Sequence, residues 1–145
     1  FLDNEIQSSL KNGSYMPDTT IQPFASIMAY KARPLNGIWA TAPYLHNGSV
    51  PTLYDLLLPK RQANDPLEGE YRPDEFMVGS REFDPEKVGF KSTDYEGFLF
   101  RTHIWGNYNA GHEYASGRTS QPDGTLLPAL TKEQRLDLLE YLKSL

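Results

Sequence analysis

The sequence has no cysteine among its 145 residues. This absence excludes disulfide bonds, thiolate metal sites and catalysis by a thiol within the chain. No apolar run approaches the ~20 residues that a membrane-spanning helix needs. Basic residues are few: 14 Lys and Arg are scattered along the chain, and the net charge is -5. We therefore expect neither a nucleic-acid partner nor a membrane span.

Glycine, proline and tyrosine are abundant, with 11, 11 and 9 copies respectively. A hydrophobic content of 39% and a charged content of 23% are typical of a folded domain. The length suits one core, so we expect a single domain over residues 1–145. The many glycine and proline residues predict long ordered loops around a modest helical core.

Three segments have helical patterns. Apolar residues that repeat every four positions predict a helix over residues 1–12. Thr52 and Asp55 form a capping box that predicts the start of a short helix. Thr131 and Gln134 form a second box, which predicts a longer final helix. Its apolar stripe consists of Leu136, Leu138, Leu139, Leu142 and Leu145.

The stretch between these helices, residues 60–125, shows little helical periodicity. Two apolar runs within it, 76–78 and 98–100, predict short strands that pair as a small β-hairpin. Together the patterns predict a fold that is mainly α-helical, with long ordered loops.

Three histidines are candidates for binding chemistry: His46, His103 and His112. By local sequence alone, each is typical of a surface histidine in a turn or loop. His112 follows Gly111, and a glycine lets the backbone approach a flat ligand closely. Neutral imidazole is also a common axial ligand of haem iron. His103 lies in no pattern that favours a ligand role.

The first histidine lies in residues 41–49, T-A-P-Y-L-H-N-G-S, with T-L at 52–53. This string resembles the T-x-P-Y-x-H-x-G-S…T-L segment of bacterial dihaem cytochrome c peroxidases. In that family the histidine lies close to a haem, and the threonine and proline carbonyls hold a calcium ion between two haem domains. The resemblance implies that His46 lines a haem and that the carbonyls of Thr41 and Pro43 bind calcium.

The third histidine lies in residues 106–114, G-N-Y-N-A-G-H-E-Y. This stretch is similar to one in a branch of the same superfamily that includes the rubber oxygenases. There the histidine is the distal axial ligand of the C-terminal haem. The strings at 30–39 and 78–90 also resemble that branch, so the likeness covers roughly residues 30–115. It implies that His112 binds haem iron.

Two departures from the family pattern refine this interpretation. Lys60 stands where the peroxidases place an axial methionine, so methionine-ligated peroxidase chemistry is not favoured. The C-x-x-C-H motif that attaches haem c is missing, because the chain has no cysteine. The resemblance therefore implies an incomplete cytochrome c-like domain without its haem-attachment helix. Haem c would be attached through an upstream motif of a longer periplasmic or secreted protein, of which this chain is the C-terminal portion.

Three other residues are candidates for contact with the haem. Arg33 could bind a haem propionate, since guanidinium binds carboxylates in a fork, although a structural salt bridge is an equal alternative. Trp39 and Tyr44 could line the haem edge, and core packing is the alternative for both. No catalytic residue is assigned.

Three functions remain open at this stage. The leading hypothesis is a haem-domain portion that serves electron transfer, or peroxide or dioxygen oxidoreductase chemistry, in the parent protein. Its partners would be the remainder of the parent cytochrome and a redox protein, and the isolated chain would be inactive. The second hypothesis is a haem-free interaction module. The third is a divalent-metal site that uses His46, His112 and nearby carboxylates.

Overall fold

The computed structural model describes residues 33–111, 113, 117, 118, 120 and 123–145. The chain divides into two compact units, Phe1–Pro34 and Leu35–Leu145, and the elements described here belong to the second unit. The helix predicted over residues 1–12 lies outside the described residues. The prediction of one domain over the whole chain stays a prediction.

The second unit begins with a 3-10 turn and ends with a helix, and short strands lie between them. The elements in order are the turn Ile38–Ala40, α1 Leu53–Leu56, β1 Glu75–Val78, β2 Phe83–Asp84, β3 Gly89–Phe90, β4 Phe98–Arg101 and α2 Lys132–Lys143. Strand β1 pairs with β4, and β2 pairs with β3, both antiparallel. The β2–β3 hairpin therefore lies inside the longer connection between β1 and β4.

The prediction of a mainly α-helical, cytochrome c-like domain is wrong for the described part of the chain. There, α1 has four residues and α2 has twelve, and four strands form two separate two-stranded sheets. The physical reason is the composition of the segment between α1 and α2. Glycine and proline are too frequent there for a long helix, and the aromatic runs adopt an extended backbone instead.

The two strands expected around residues 76–78 and 98–100 are confirmed, as is their pairing. Phe76 lies opposite Phe100, with ring centroids 5.1 Å apart, and Val78 lies opposite Phe98. They do not form a simple hairpin, since the β2–β3 pair separates them in the sequence. Phe76 is buried and stacks on Phe100 within this sheet, but it does not belong to the main core cluster.

The predicted N-caps are confirmed at both α-helices, and the full capping box is formed at α2. The Thr52 hydroxyl accepts a hydrogen bond from the Asp55 amide at 3.1 Å and lies 2.6 Å from the Asp55 carboxylate. Burial raises the pKa of Asp55, in spite of this hydrogen bond. At α2, the Thr131 hydroxyl accepts a hydrogen bond from the backbone amide of Gln134. The side-chain oxygen of Gln134 accepts one from the backbone amide of Thr131.

Helix α2 packs against one side of the core. Leu139 and Leu142 are buried, whereas Leu136 is 43% exposed. The apolar stripe is therefore narrower than predicted, because Leu136 borders an open cavity instead of the core. The buried core consists of Tyr44, Val50, Leu53, Tyr54, Leu57, Leu58, Val88, Leu139 and Leu142.

A carboxylate network holds the N-terminal part of α2 against α1. Glu70 accepts a hydrogen bond from the Tyr54 hydroxyl at 2.7 Å and from the Arg135 guanidinium at 2.5 Å. The Lys132 ammonium lies 3.6 Å from the same carboxylate. The hydrogen bond from Tyr54, followed by that from Arg135, holds the pKa of Glu70 below its ordinary value of 4.5.

We expect Glu70→Gln to make the free energy of unfolding less dependent on pH in the acidic range. Because the pKa of Glu70 is lowered by folding, its ionised form stabilises the chain above pH 4.5, and that contribution is lost as the pH falls through the folded value. Urea unfolding at a series of acidic pH values measures the effect. Glu68→Gln, at an exposed position nearby, is the matched control. Profiles of Glu70→Gln and wild type that fall in parallel would contradict the assignment.

Candidate functional site

The site begins with the loop that carries His46. Tyr44 and Val50 form an antiparallel bridge, with backbone N to O distances of 2.7 and 3.3 Å. The bridge closes a loop of five residues. Gly48 has a φ of +68°, and a Cβ there would meet the Pro43 ring at 3.2 Å, so glycine suits this turn. The loop leaves His46 exposed.

Two polar side chains of this loop hold a distant segment. The Asn47 amide donates to the carbonyl oxygens of Gly106 and Tyr108, at 3.1 and 3.0 Å. The hydroxyl of the buried Ser49 donates to the Tyr108 carbonyl at 3.1 Å. The two sequence stretches that resemble haem proteins, 41–49 and 106–114, are therefore in direct contact, although about 60 residues separate them in the chain.

The same segment is held further along by buried groups. Arg72 is 1% exposed, and its Nη1 donates to the carbonyls of Asn109 and Gly111, each at 2.7 Å. The carboxylate of Glu113 accepts from the backbone amide of Lys60 at 2.7 Å. His112 itself lies outside the described residues, so its role as an axial ligand stays a prediction.

Exposed aromatic side chains lie next to this loop contact. Trp105 is 88% exposed and Tyr108 is 52% exposed, and their ring centroids are 6.1 Å apart in an edge-to-face arrangement. Trp105 directly precedes Gly106, whose carbonyl accepts from Asn47. We call Trp105 and Tyr108 together the aromatic surface. Two neighbouring exposed aromatic rings form a small apolar patch, and such patches are common at binding surfaces.

Trp39 and Tyr44, which were predicted to line a haem edge, differ in exposure. Trp39 lies in the 3-10 turn and is 43% exposed. Tyr44 is 5% exposed, its hydroxyl donates to the Ile38 carbonyl at 3.0 Å, and burial raises its pKa to about 12. Tyr44 thus packs in the core, and its predicted contact with haem stays a prediction.

The remaining predicted residues are exposed. Thr41 and Pro43 both face solvent, and the Thr41 hydroxyl donates to the Ile38 carbonyl at 2.9 Å. That their carbonyl oxygens bind calcium remains a prediction. Arg33 is exposed and belongs to the first unit, Phe1–Pro34. His103 is also exposed.

Among the described residues, no group of three or more His, Asp or Glu residues could hold a metal ion. A cavity of about 230 Å³ is lined by Pro43, Pro51 and strand β1, and another of about 420 Å³ lies beside Tyr54 and Leu136; His46 lines neither of them. The aromatic surface offers two exposed rings beside the loop that carries the exposed His46. Covalent attachment of haem c would need cysteines from outside this chain.

Sequence reasoning missed the residues that assemble this site. Asn47 and Ser49 look like ordinary turn residues, and Arg72 lies in a loop-rich stretch where an arginine is normally exposed. The one available signal was the repeated asparagine and glycine around residues 106–111, since these residue types favour turns.

Comparison with known proteins supports a cytochrome-related role. Residues 29–64, which include the His46 loop, match the family model described as RoxA-like, cytochrome c-like. This match supports the RoxA-like part of the predicted resemblance, and it suggests haem c binding in the family. No solved structure matches the chain. Among the described residues, no helix has the length and apolar character to cross a membrane.

Two curated proteins of Sinorhizobium fredii (strain NBRC 101917 / NGR234) are similar to the chain. Uncharacterized protein y4iJ is 49% identical over 119 residues, which are 81% of this chain and 18% of that protein. Uncharacterized protein y4iM is 42% identical over 71 residues, which are 49% of this chain and 14% of that protein. The chain thus spans less than a fifth of the length of either relative.

Proposed function

We propose that the chain is the haem-binding C-terminal portion of a longer c-type cytochrome, in which His112 provides the distal axial ligand and His46 lines the haem surroundings. The observation that carries this proposal is the contact between the His46 loop and residues 106–108, made by Asn47 and Ser49. It joins a segment that matches the RoxA-like, cytochrome c-like model to the sequence segment that contains His112.

In this proposal the chain provides an iron ligand and side chains that exclude water from the haem. Haem c supplies a one-electron redox couple when bound. His112 would provide one ligand of the haem iron, and the histidine of an upstream C-x-x-C-H motif would provide another. Since two histidine ligands leave no open position, this arrangement favours electron transfer at that haem. Trp105 and Tyr108 would cover the haem edge and exclude water from it.

Other parts of the proposal concern the parent protein. Peroxide or dioxygen chemistry would take place at another haem of that oxidoreductase, and the isolated chain would be inactive. The carbonyls of Thr41 and Pro43 would provide two of the six to eight oxygen ligands that calcium usually takes, with the others from the remainder of the parent. Such a protein would be periplasmic or secreted and would exchange electrons with a redox partner.

Titration of the 145-residue chain with hemin tests the proposal. We expect a Soret shift typical of histidine ligation, and His112→Ala should weaken hemin binding by at least about tenfold, because an iron ligand is lost. His46→Ala should change the reduction potential of the bound hemin more than its affinity. His103→Ala is the matched control, since that histidine is exposed and has no proposed role. Identical titrations of His112→Ala and His103→Ala would reject the ligand assignment.

A haem-free interaction module is the second candidate, and the exposure of Trp105 favours it, because an 88% exposed indole suits a protein partner. This alternative predicts no Soret shift with hemin and a Trp105-dependent association with a second copy or with another protein. Zinc tests the divalent-metal hypothesis in the same experiment, through an increase in melting temperature that His46→Ala and His112→Ala would abolish.

A further inference from the structure

The outer edge of strand β4 presents backbone groups to solvent. On the neighbouring strand β1, the Met77 amide donates to the Ser92 carbonyl at 2.9 Å, on the side away from β4. Since inward and outward directions alternate along an antiparallel pair, Leu99, which lies opposite Met77, also directs its amide and carbonyl away from the sheet. The same alternation directs the Arg101 amide outward. Among the described residues, none bonds to these outward groups of Leu99 and Arg101.

The sequence of β4 does little to protect this edge. Edge strands are usually blunted by proline, lysine or a bulge, or they are covered by a loop. Residues 97–101, G-F-L-F-R, contain no proline and one charge, and β4 pairs with β1 without a bulge. The Asn107 side chain donates to the Arg101 carbonyl at 3.3 Å, at the end of the strand. Phe98 is 71% exposed. A two-stranded sheet with such an edge is stabilised by a further strand.

The apolar part of β4 is palindromic about Leu99. Phe98-Leu99-Phe100 has the same residue types in both directions, so it complements a second copy related by a two-fold axis. With the axis at Leu99, leucine lies opposite leucine, and Phe98 lies opposite Phe100 of the second copy. The Leu99 amides and carbonyls of the two copies then bond to one another. Phe98 gains an aromatic cross-strand partner that covers part of its exposed ring.

The charges beside this stretch favour the same register. With the axis at Leu99, Arg101 lies opposite Gly97 of the second copy, so no like charges meet and the Arg101 amide faces a free carbonyl. An axis at Arg101 would place two guanidinium groups opposite each other, which destabilises a strand pair. An axis at Gly97 would place Glu96 opposite Phe98 and lose the aromatic pair. Pairing about Leu99 is therefore favoured over the two neighbouring registers.

We propose that the edge of β4 is a self-association surface, where two copies of the chain pair antiparallel about Leu99. The two sheets then form one sheet of four strands, in the order β1-β4-β4-β1. So short an edge is small compared with the roughly 1,200–2,000 Å² of stable interfaces, and the dimer is therefore weak and reversible. The surface uses no histidine and no haem, so the proposal is independent of the proposed function.

Analytical ultracentrifugation of the 145-residue chain, from about 1 μM to about 1 mM, tests the proposal. We expect the average mass to rise towards that of a dimer. Leu99→Lys and Leu99→Glu should each raise the dissociation constant by at least about tenfold, because like charges meet at the axis. An equimolar mixture of the two variants should restore association. Leu67→Lys is the matched control, since Leu67 is 82% exposed and lies outside the sheets.

A single cysteine gives a second measurement of the same contact. Because the chain has no cysteine of its own, oxidised Leu99→Cys can form a disulfide only with another copy. Residues of a hydrogen-bonded antiparallel pair have Cα atoms about 5.5 Å apart, a distance that a disulfide can span. Leu99→Cys should therefore cross-link at least about tenfold faster than Leu67→Cys at the same concentration.

Three results would overturn the proposal. The first is a wild-type chain that stays monomeric over the whole range, and the second is association that Leu99→Lys leaves unchanged. The third is association that Trp105→Ala abolishes and the Leu99 variants retain, which would assign the contact to the aromatic surface. If Leu99→Lys does not fold, Phe98→Lys replaces it, since that side chain is mostly exposed. It should weaken the dimer without lowering the melting temperature of the monomer.

Discussion

Leu139→Ala is expected to lower the free energy of unfolding by about 2–5 kcal/mol. Leu139 is 1% exposed and lies at the centre of the contact between α2 and the core residues of α1. Truncation removes the apolar surface that it buries and leaves a cavity that the short α1 can only partly fill. Urea unfolding followed by far-UV circular dichroism measures the loss.

Leu136→Ala provides a control of the same residue type on the same helix. Leu136 is 43% exposed at the rim of an open cavity, so its truncation should cost less than about 1 kcal/mol. Because the two variants have the same change in helix propensity, the difference between them reports burial alone. Equal losses for both variants would mean that α2 packs with a different face towards the core.

Gly89→Ala is expected to destabilise the chain by about 3 kcal/mol. A Cβ at this buried position of β3 would lie 2.5 Å from the Pro51 carbonyl oxygen and 2.8 Å from the Thr52 Cα. Both are backbone atoms beside the cap of α1, so neither can move without disturbing the helix start. The expected readout is a lower midpoint of urea unfolding, with a weakened bridge between Thr52 and Gly89.

The matched control is Gly111→Ala, at an exposed glycine where a Cβ would meet no atom within 4 Å. This change should alter the free energy of unfolding by less than about 0.5 kcal/mol. A Gly89→Ala variant as stable as Gly111→Ala would show that the strand and the cap of α1 do not approach each other as described.

The helix boundaries of the second unit could be predicted because capping is local. Thr52 with Asp55, and Thr131 with Gln134, each satisfy backbone groups within one turn, so the residue types and their spacing define the helix starts. The pairing of β1 with β4 was also accessible, since two runs of aromatic and apolar residues had one obvious partner each.

The fold class could not be predicted from the same patterns. It was inferred from the leucine stripe of α2 and from a resemblance, and both overstate helix content. Most of the chain between α1 and α2 is held by turns, two small sheets and side chain to backbone hydrogen bonds. Such bonds depend on where the chain returns in space, which hydrophobic periodicity does not encode.

The candidate site was predicted in its parts but not in its assembly. Resemblance alone indicated the His46 loop and the segment around residues 106–114. Their contact through Asn47 and Ser49 joins positions about 60 residues apart, and no local rule relates such positions. Arg72 was missed for a related reason: its burial follows from the carbonyls that surround it, and a polar sequence context predicts exposure.

The hydrogen bonds of Asn47 and Ser49 to residues 106–108 have a consequence for the order of folding. Contacts between residues so far apart in sequence form late, because a long chain segment loses entropy before the contact is made. Synthesis proceeds from the N-terminus, so the His46 loop leaves the ribosome well before its partners exist. Arg72 likewise meets Asn109 and Gly111 only 37 and 39 positions later. A nascent chain that ends before Gly106 therefore cannot form any of these hydrogen bonds.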